Sequence, residues 1–344
     1  MKTRRPPPLV RSVMANPIDA PPLRWFLNGA SRRRVAWQYW GRDVFWGLLY
    51  TLVHQALRLT SIDRCSAIGD VLGGLARRHV GFEIGELRRY RGHEAQARKN
   101  WARLRPRDNA PNAVEAAMDA AFRNTTRSQC EFAVLERLWP EGRIAVAGAE
   151  HVAAARAAKR PTLIAGLHLG NWETIAPALI GLGHSVTAIY QQPPNRFDHR
   201  MVVAARRRYG VTLLPPGRNG ARMAYRALAQ AQDVLLLYID EFVNDHVYAP
   251  LFGRPIEPAG NIANAARLAA MTDAVVVPAY CIRLKGAHFR VTFMPPVELE
   301  RSGDRGRGMA ENIARLNAAI EPVVLAHLEQ WLWLFDLRID GERG

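Results

Sequence analysis

The chain has 344 residues, 49% of them hydrophobic, which is long enough for one large domain or two ordinary ones and excludes a disordered chain. Lys and Arg number 47 against 31 Asp and Glu, a formal net charge of +16. That balance favours an anionic partner such as nucleic acid, anionic lipid or an acidic carrier protein. Cys65, Cys130 and Cys281 lie far apart without CxxC or Cys/His spacing, so neither a zinc site nor a disulfide framework is indicated, and a reducing cytoplasm fits best.

The N-terminus is rich in arginine but has no compact apolar core followed by a small-residue cleavage site, so no secretory signal is read there. Residues 1 to 24, with "RRPPPLVR" and "IDAPPLR", read as flexible. From Met1 to Arg42 nine basic residues face one acid, Asp19, a local balance of +8. Asp43 to Leu59, "DVFWGLLYTLVHQALRL", is the most apolar helical run. It falls short of the about 20 apolar residues that cross a bilayer, and His54, Gln55 and Arg58 interrupt it, so a helix lying in or partly inserted into a membrane surface is expected. Trp25, Trp37, Tyr39, Trp40 and Trp46 crowd its approach beside Arg32 to Arg34, a mixture that suits the lipid headgroup zone better than RNA.

Residues 62 to 140 read as helical, with apolar recurrence at three and four over Asn112 to Leu138. After Pro140 the pattern changes. Short apolar runs at 143–148, 162–167, 185–190, 211–214, 233–239, 274–282 and 289–294 alternate with helical stretches near 171–182, 198–209, 219–231 and 260–271. The expected fold is α/β, a mixed central sheet layered by helices. The expected organisation is a flexible basic aromatic tail (1–41), a membrane-associated helical anchor (42–80) and an α/β domain (81–344).

The chemistry concentrates in "GLHLGNWE", Gly166 to Glu173. The preceding "PTLIAGL" reads as a buried strand, which puts His168 at a strand's C-terminal end, where α/β sheets build their sites. Asn171 to Glu173 open the next helix. Inside one helix His168 and Glu173 would point about 140° apart. Across a turn, Glu173 can fold back, accept the imidazole Nδ1 proton and leave Nε2 as a base, while the helix start offers backbone N–H groups to an oxyanion. The spacing alone equally suits a polar loop in which the two residues cap a helix. "GRNG" (217–220) lacks Walker spacing, and no GxSxG elbow is present. Direct transfer without an acyl-enzyme is therefore preferred to a serine hydrolase.

"GLHLGNWE" resembles the His, four residues, acid signature of the lipid A biosynthesis acyltransferases, the late lauroyl and myristoyl transferases within the lysophospholipid acyltransferase superfamily. "ARKNWARLRP" (97–106), "YQQPPN" (190–195), "APLFGRPIEPAGNIANAARLA" (249–269) and "EQWLW" (329–333) are similar, in order, to further family blocks. The resemblance extends over roughly residues 45 to 338. It implies a lysophospholipid acyltransferase-like fold and an enzyme on the cytoplasmic face of a bacterial inner membrane. That enzyme moves an acyl chain from acyl carrier protein, or from acyl-CoA, to a lipid hydroxyl, with no metal, nucleotide or other cofactor.

By position, the resemblance makes His168 the general base and Glu173 its partner. It places substrate contacts at Arg206, Asp240, Asn171, Tyr190 and Arg208, with Arg206, Arg207 and Arg208 alternative holders of one arginine role. The partners implied are the carrier, the lipid acceptor and an anionic membrane surface, and no nucleic acid. Gln191 and Gln192 stand where the family has arginine, Glu241 where glutamine is common, and Phe335 where histidine is frequent. These departures leave acyl transfer intact and open the acceptor to a lysophospholipid, a glycolipid or a lyso-ornithine lipid. A non-catalytic lipid-binding protein of the same fold is the rival reading.

Overall fold

The computed structural model describes residues 20–78, 94–193, 195–215, 217–231, 234–244, 246–300 and 305–339, the side chains of 305–307 excepted. The expected flexible tail as far as residue 19, and the expected boundary at residues 80 and 81, lie outside the described residues.

Helices come first in the chain: α1 (Ala30–Trp37), α2 (Asp43–Arg58), α3 (Ile62–Arg78), α4 (Glu94–Leu104), α5 (Pro111–Glu131) and the single turn α6 (Leu135–Leu138). The α/β part follows with β1 (Ile144–Ala147), α7 (Ala149–Ala157), β2 (Thr162–Gly166), α8 (Ile175–Gly181), β3 (Val186–Ile189) and α9 (Arg196–Arg208). Then come β4 (Thr212–Leu214), α10 (Gly217–Ala229), β5 (Val234–Tyr238) and a short hairpin of β6 (Phe242–Val243) and β7 (His246–Val247). The chain continues through α11 (Gly260–Thr272), β8 (Val275–Arg283), β9 (Phe289–Phe293) and α12 (Arg305–Ala326).

The large sheet has the order β1-β9-β8-β2-β5-β3-β4. β8, β2, β5, β3 and β4 are mutually parallel; β9 runs antiparallel to β8 and parallel to β1. The fold is thus mixed α/β with a central sheet layered by helices. All five residues of β2 are buried because both faces are covered, which is why the strand reads as an unbroken apolar run. Leu163 and Ala165 join Ala224, Ile262 and Ile313 on one face, while Ile164 joins Leu135, Ile175 and Leu179 on the other.

Residues 30–41, within the tail that composition marks as flexible, are helical. A π-helical turn, Gln38–Arg42, joins α1 to α2. Tertiary contacts account for the difference: Arg196 of α9 lies 3.8 Å over the Tyr39 ring and donates to the Tyr39 carbonyl at 3.0 Å, and Asn195 donates to the Asp43 carbonyl. Phe45, Leu48 and Leu52 of α2 and Val71 and Leu75 of α3 are exposed. Among the described residues no helix is long and apolar enough to cross a membrane.

Helix α3 packs on α5 through small residues. A Cβ at Gly69 would stand 2.6 Å from the Arg127 Cα, and one at Gly73 would stand 2.7 Å from the Arg123 Cα. The close approach lets the Thr126 hydroxyl donate to the Gly69 carbonyl at 2.7 Å. Gly69→Val therefore forces the helices apart and is expected to lower the unfolding free energy by about 1–3 kcal/mol. Denaturant unfolding of the full chain checks this, and an unchanged midpoint would refute the packing argument.

Candidate active site

Parallel pairing of β2 with β5 sets Gly166 opposite Tyr238. Two residues beyond each strand end stand His168 and Asp240, so the register that pairs the strands also pairs these side chains. His168 Nδ1 lies 2.7 Å from Asp240 Oδ1. Asp240 Oδ2 accepts the His168 backbone N–H at 2.8 Å and the Trp331 indole N–H at 2.9 Å. The carboxylate is fully buried, and these three bonds offset what burial of its charge would otherwise cost. Since a carboxylate only accepts, Nδ1 carries the shared proton, and Nε2 is the imidazole atom left for a ligand. Rings of Trp172, Tyr238 and Trp333 lie 4.6–5.5 Å from the imidazole and fix its plane.

Glu173 does not hold His168. Its carboxylate takes a two-pronged contact from Arg206, 2.6 Å from Nη2 and 3.3 Å from Nε. Motif spacing relates only neighbours along the chain, whereas α9 brings in a guanidinium that matches a carboxylate two to two. Burial opposes the Arg206 charge, but Glu173 outweighs it and the guanidinium pKa is raised above its ordinary value.

His168, Glu173, Arg206 and Tyr190 all line one cavity of about 1010 Å³ at the C-terminal ends of the parallel strands. Tyr190 contacts Arg206 with its ring face, 5.3 Å from the guanidinium carbon, and its hydroxyl lies 3.2 Å from His199 Nδ1.

Three expected substrate contacts fall elsewhere. Asp240 is fully buried, bonded to His168 and not part of the cavity lining. Asn171 is fully buried and donates to Glu131 Oε2 at 2.9 Å. Glu131, itself fully buried, is ion-paired with Arg283 at 2.5 Å. This network anchors the loop after His168 onto α5 from behind. Arg208 pairs with Glu136, which also holds Arg58 at 2.9 Å, so it ties α9 to α2 and α6. Of the three consecutive arginines, Arg206 is the one that lines the cavity.

Trp331, fully buried in the core, takes a positioning role through its indole bond to Asp240. Asn100 holds the same C-terminal segment, donating to the carbonyls of Leu334 and Leu337 at 2.8 and 3.0 Å. Phe335, where the family often has histidine, is buried edge-to-face on Phe122. The signal that pointed to Asp240 as partner was present: "TLIAGLH" and "VLLLYID" are two buried strands with a polar residue at the same offset.

Glu241 also lines the cavity. Burial pushes its carboxyl up to about 7, with Asp240 adding to the rise and the Asn261 backbone N–H and His168 opposing it. A raised folded-state pKa means the folded chain binds the proton more tightly than the unfolded one. Stability is therefore fully present below the unfolded value and falls as pH rises towards about 7. Glu241→Gln should raise the melting temperature at pH 8 and leave it nearly unchanged at pH 4. Equal shifts at both pH values would contradict the burial of this charge.

An imidazole oriented by a buried carboxylate, at the strand ends of an α/β sheet and open to a large cavity, has the geometry to take a proton from a bound hydroxyl. The family model described as bacterial lipid A biosynthesis acyltransferase matches residues 46–337. The chain belongs to that family, and membership implies acyltransferase activity. No match is found among curated proteins.

Proposed function

We propose that the protein transfers a fatty acyl chain from a thioester, on acyl carrier protein or coenzyme A, to a lipid hydroxyl, as in late acylation of a lipid A precursor. The bond from His168 Nδ1 to buried Asp240, with Nε2 left for the cavity, is the observation that carries this reading. Nε2 takes the acceptor hydroxyl's proton as the oxygen attacks the thioester carbonyl. A C–O bond forms, the C–S bond breaks, and the imidazolium returns the proton to the departing thiolate. Arg206, charged beside Glu173, is placed to stabilise negative charge developing in the cavity.

Lipid mass spectrometry of cells with and without the gene tests the reading. One lipid species should lose one acyl chain in the deletion and regain it with the wild-type gene, but not with His168→Ala. A lipid profile unchanged by deletion would argue against acyl transfer, and the identity of the altered species distinguishes lipid A from a lysophospholipid, glycolipid or lyso-ornithine acceptor.

The same reading places the protein on the cytoplasmic face of an inner membrane. The exposed apolar side chains of α2 and α3, with Arg32 to Arg34 and Arg42 just before α2 in the chain, suit an in-plane contact with an anionic leaflet. Paired Phe45→Glu and Leu52→Glu substitutions should reduce co-sedimentation with phosphatidylglycerol vesicles several-fold, and undiminished binding would exclude this face.

A further inference from the structure

Helix α10 carries Arg218, Arg222 and Arg226 at four-residue intervals, which sets them along one helical face. All three line the cavity that holds His168, and Arg267 of α11 lines it too. Three helical arginines elsewhere are neutralised by an acid four residues before: Arg98 by Glu94, Arg123 by Asp119, Arg315 by Glu311. No acid stands four residues before any arginine of α10. Neither α10 nor α11 contains an acidic residue, and among the described residues the three α10 arginines form no ion pair. Arg267 is bonded to a neutral group, the Asn264 side-chain oxygen, at 2.9 Å. Like charges at this spacing repel, so a row of them without counter-charge along a cavity wall is suited to an anion supplied from outside.

The four arginines are exposed, whereas His168 is part-buried in its aromatic cage. Tyr225, Leu268 and Met271 line the same cavity. A ligand that matches has an anionic group at the open rim, a spacer along a part-apolar wall and its reacting carbonyl at the imidazole. A thioester on a phosphopantetheine arm has that order of groups. We propose that Arg218, Arg222 and Arg226, with Arg267, bind the phosphate of the acyl donor's phosphopantetheine arm at the cavity mouth. This rests on the acyl-transfer reading for the donor's identity. A lipid phosphate offers the same chemistry, but the exposed apolar side chains lie mostly on α2 and α3, whereas on α10 three arginines accompany the exposed Met223 and Tyr225.

The test compares binding of dodecanoyl-4′-phosphopantetheine with that of dodecanoyl-pantetheine, which lacks the phosphate, to the full chain in detergent micelles. In the wild type the phosphate should tighten binding about tenfold, or about 1.4 kcal/mol, and the advantage should shrink as salt is raised. In the triple variant Arg218→Gln, Arg222→Gln, Arg226→Gln it should fall below about twofold, with an unchanged melting curve; the corresponding triple lysine variant should retain part of it. An equal phosphate advantage in wild type and glutamine variant overturns the proposal, as does no advantage in the wild type. Loss of phosphatidic acid vesicle binding in the variant with the phosphopantetheine advantage intact would assign the row to a lipid headgroup, against the proposal. Because the measurement is of binding, a failure of acyl turnover would count against the proposed function and leave this result readable.

Discussion

His168→Ala is expected to lower kcat for acyl transfer by about 10²–10⁴-fold, the range supplied by a positioned general base. In the proposed mechanism the imidazole is the group through which the acceptor proton leaves, and its ring is held by three aromatic neighbours and the Asp240 bond. Since the cavity and its arginines are built from other elements, donor KM should change little. A rate within twofold of wild type in a steady-state transfer assay would remove His168 from the mechanism.

Asp240→Asn should have an effect of comparable size, roughly 10²–10⁴-fold on kcat, for a reason contained in the hydrogen bonds. Two donors, the His168 backbone N–H and the Trp331 indole N–H, converge on Asp240 Oδ2. An asparagine in this place must turn its carbonyl oxygen to them, which directs its NH2 at His168 Nδ1. Nδ1 then becomes an acceptor, the proton moves to Nε2, and the cavity-facing nitrogen can no longer act as a base. The side chain keeps its shape, so the loss should appear in kcat with the fold preserved. Asp240→Asn with near-normal kcat in the same assay would show that the carboxylate does not set the tautomer.

The central sheet was legible because seven apolar runs with turn residues between them are long enough to show the pattern, and each became a strand of the large sheet. The β6–β7 hairpin was not, since two-residue strands leave no periodicity to read. The helix from Asp43 was visible in its apolar run, but its upstream extension to Ala30 depends on Arg196 and Asn195, which lie more than 150 residues along the chain.

The site shows the same division between local and distant information. His168 was recognisable from its place after a buried strand. Its partner was assigned by proximity in sequence to Glu173, yet parallel register supplies Asp240 from the adjacent strand, and Glu173 is taken by Arg206. Asn171 fits the same explanation: the motif places it beside the base, while the buried Glu131 and Arg283 pair, unseen from the motif, turns it inward.

The pairing of His168 with Asp240 is most directly tested by NMR of the ¹⁵N-histidine-labelled protein, observing the proton on His168 Nδ1. A downfield Nδ1–H resonance is predicted in the wild type, retained in Glu173→Gln and lost in Asp240→Asn. A resonance that survives in Asp240→Asn and disappears in Glu173→Gln would contradict the account and return the role to Glu173.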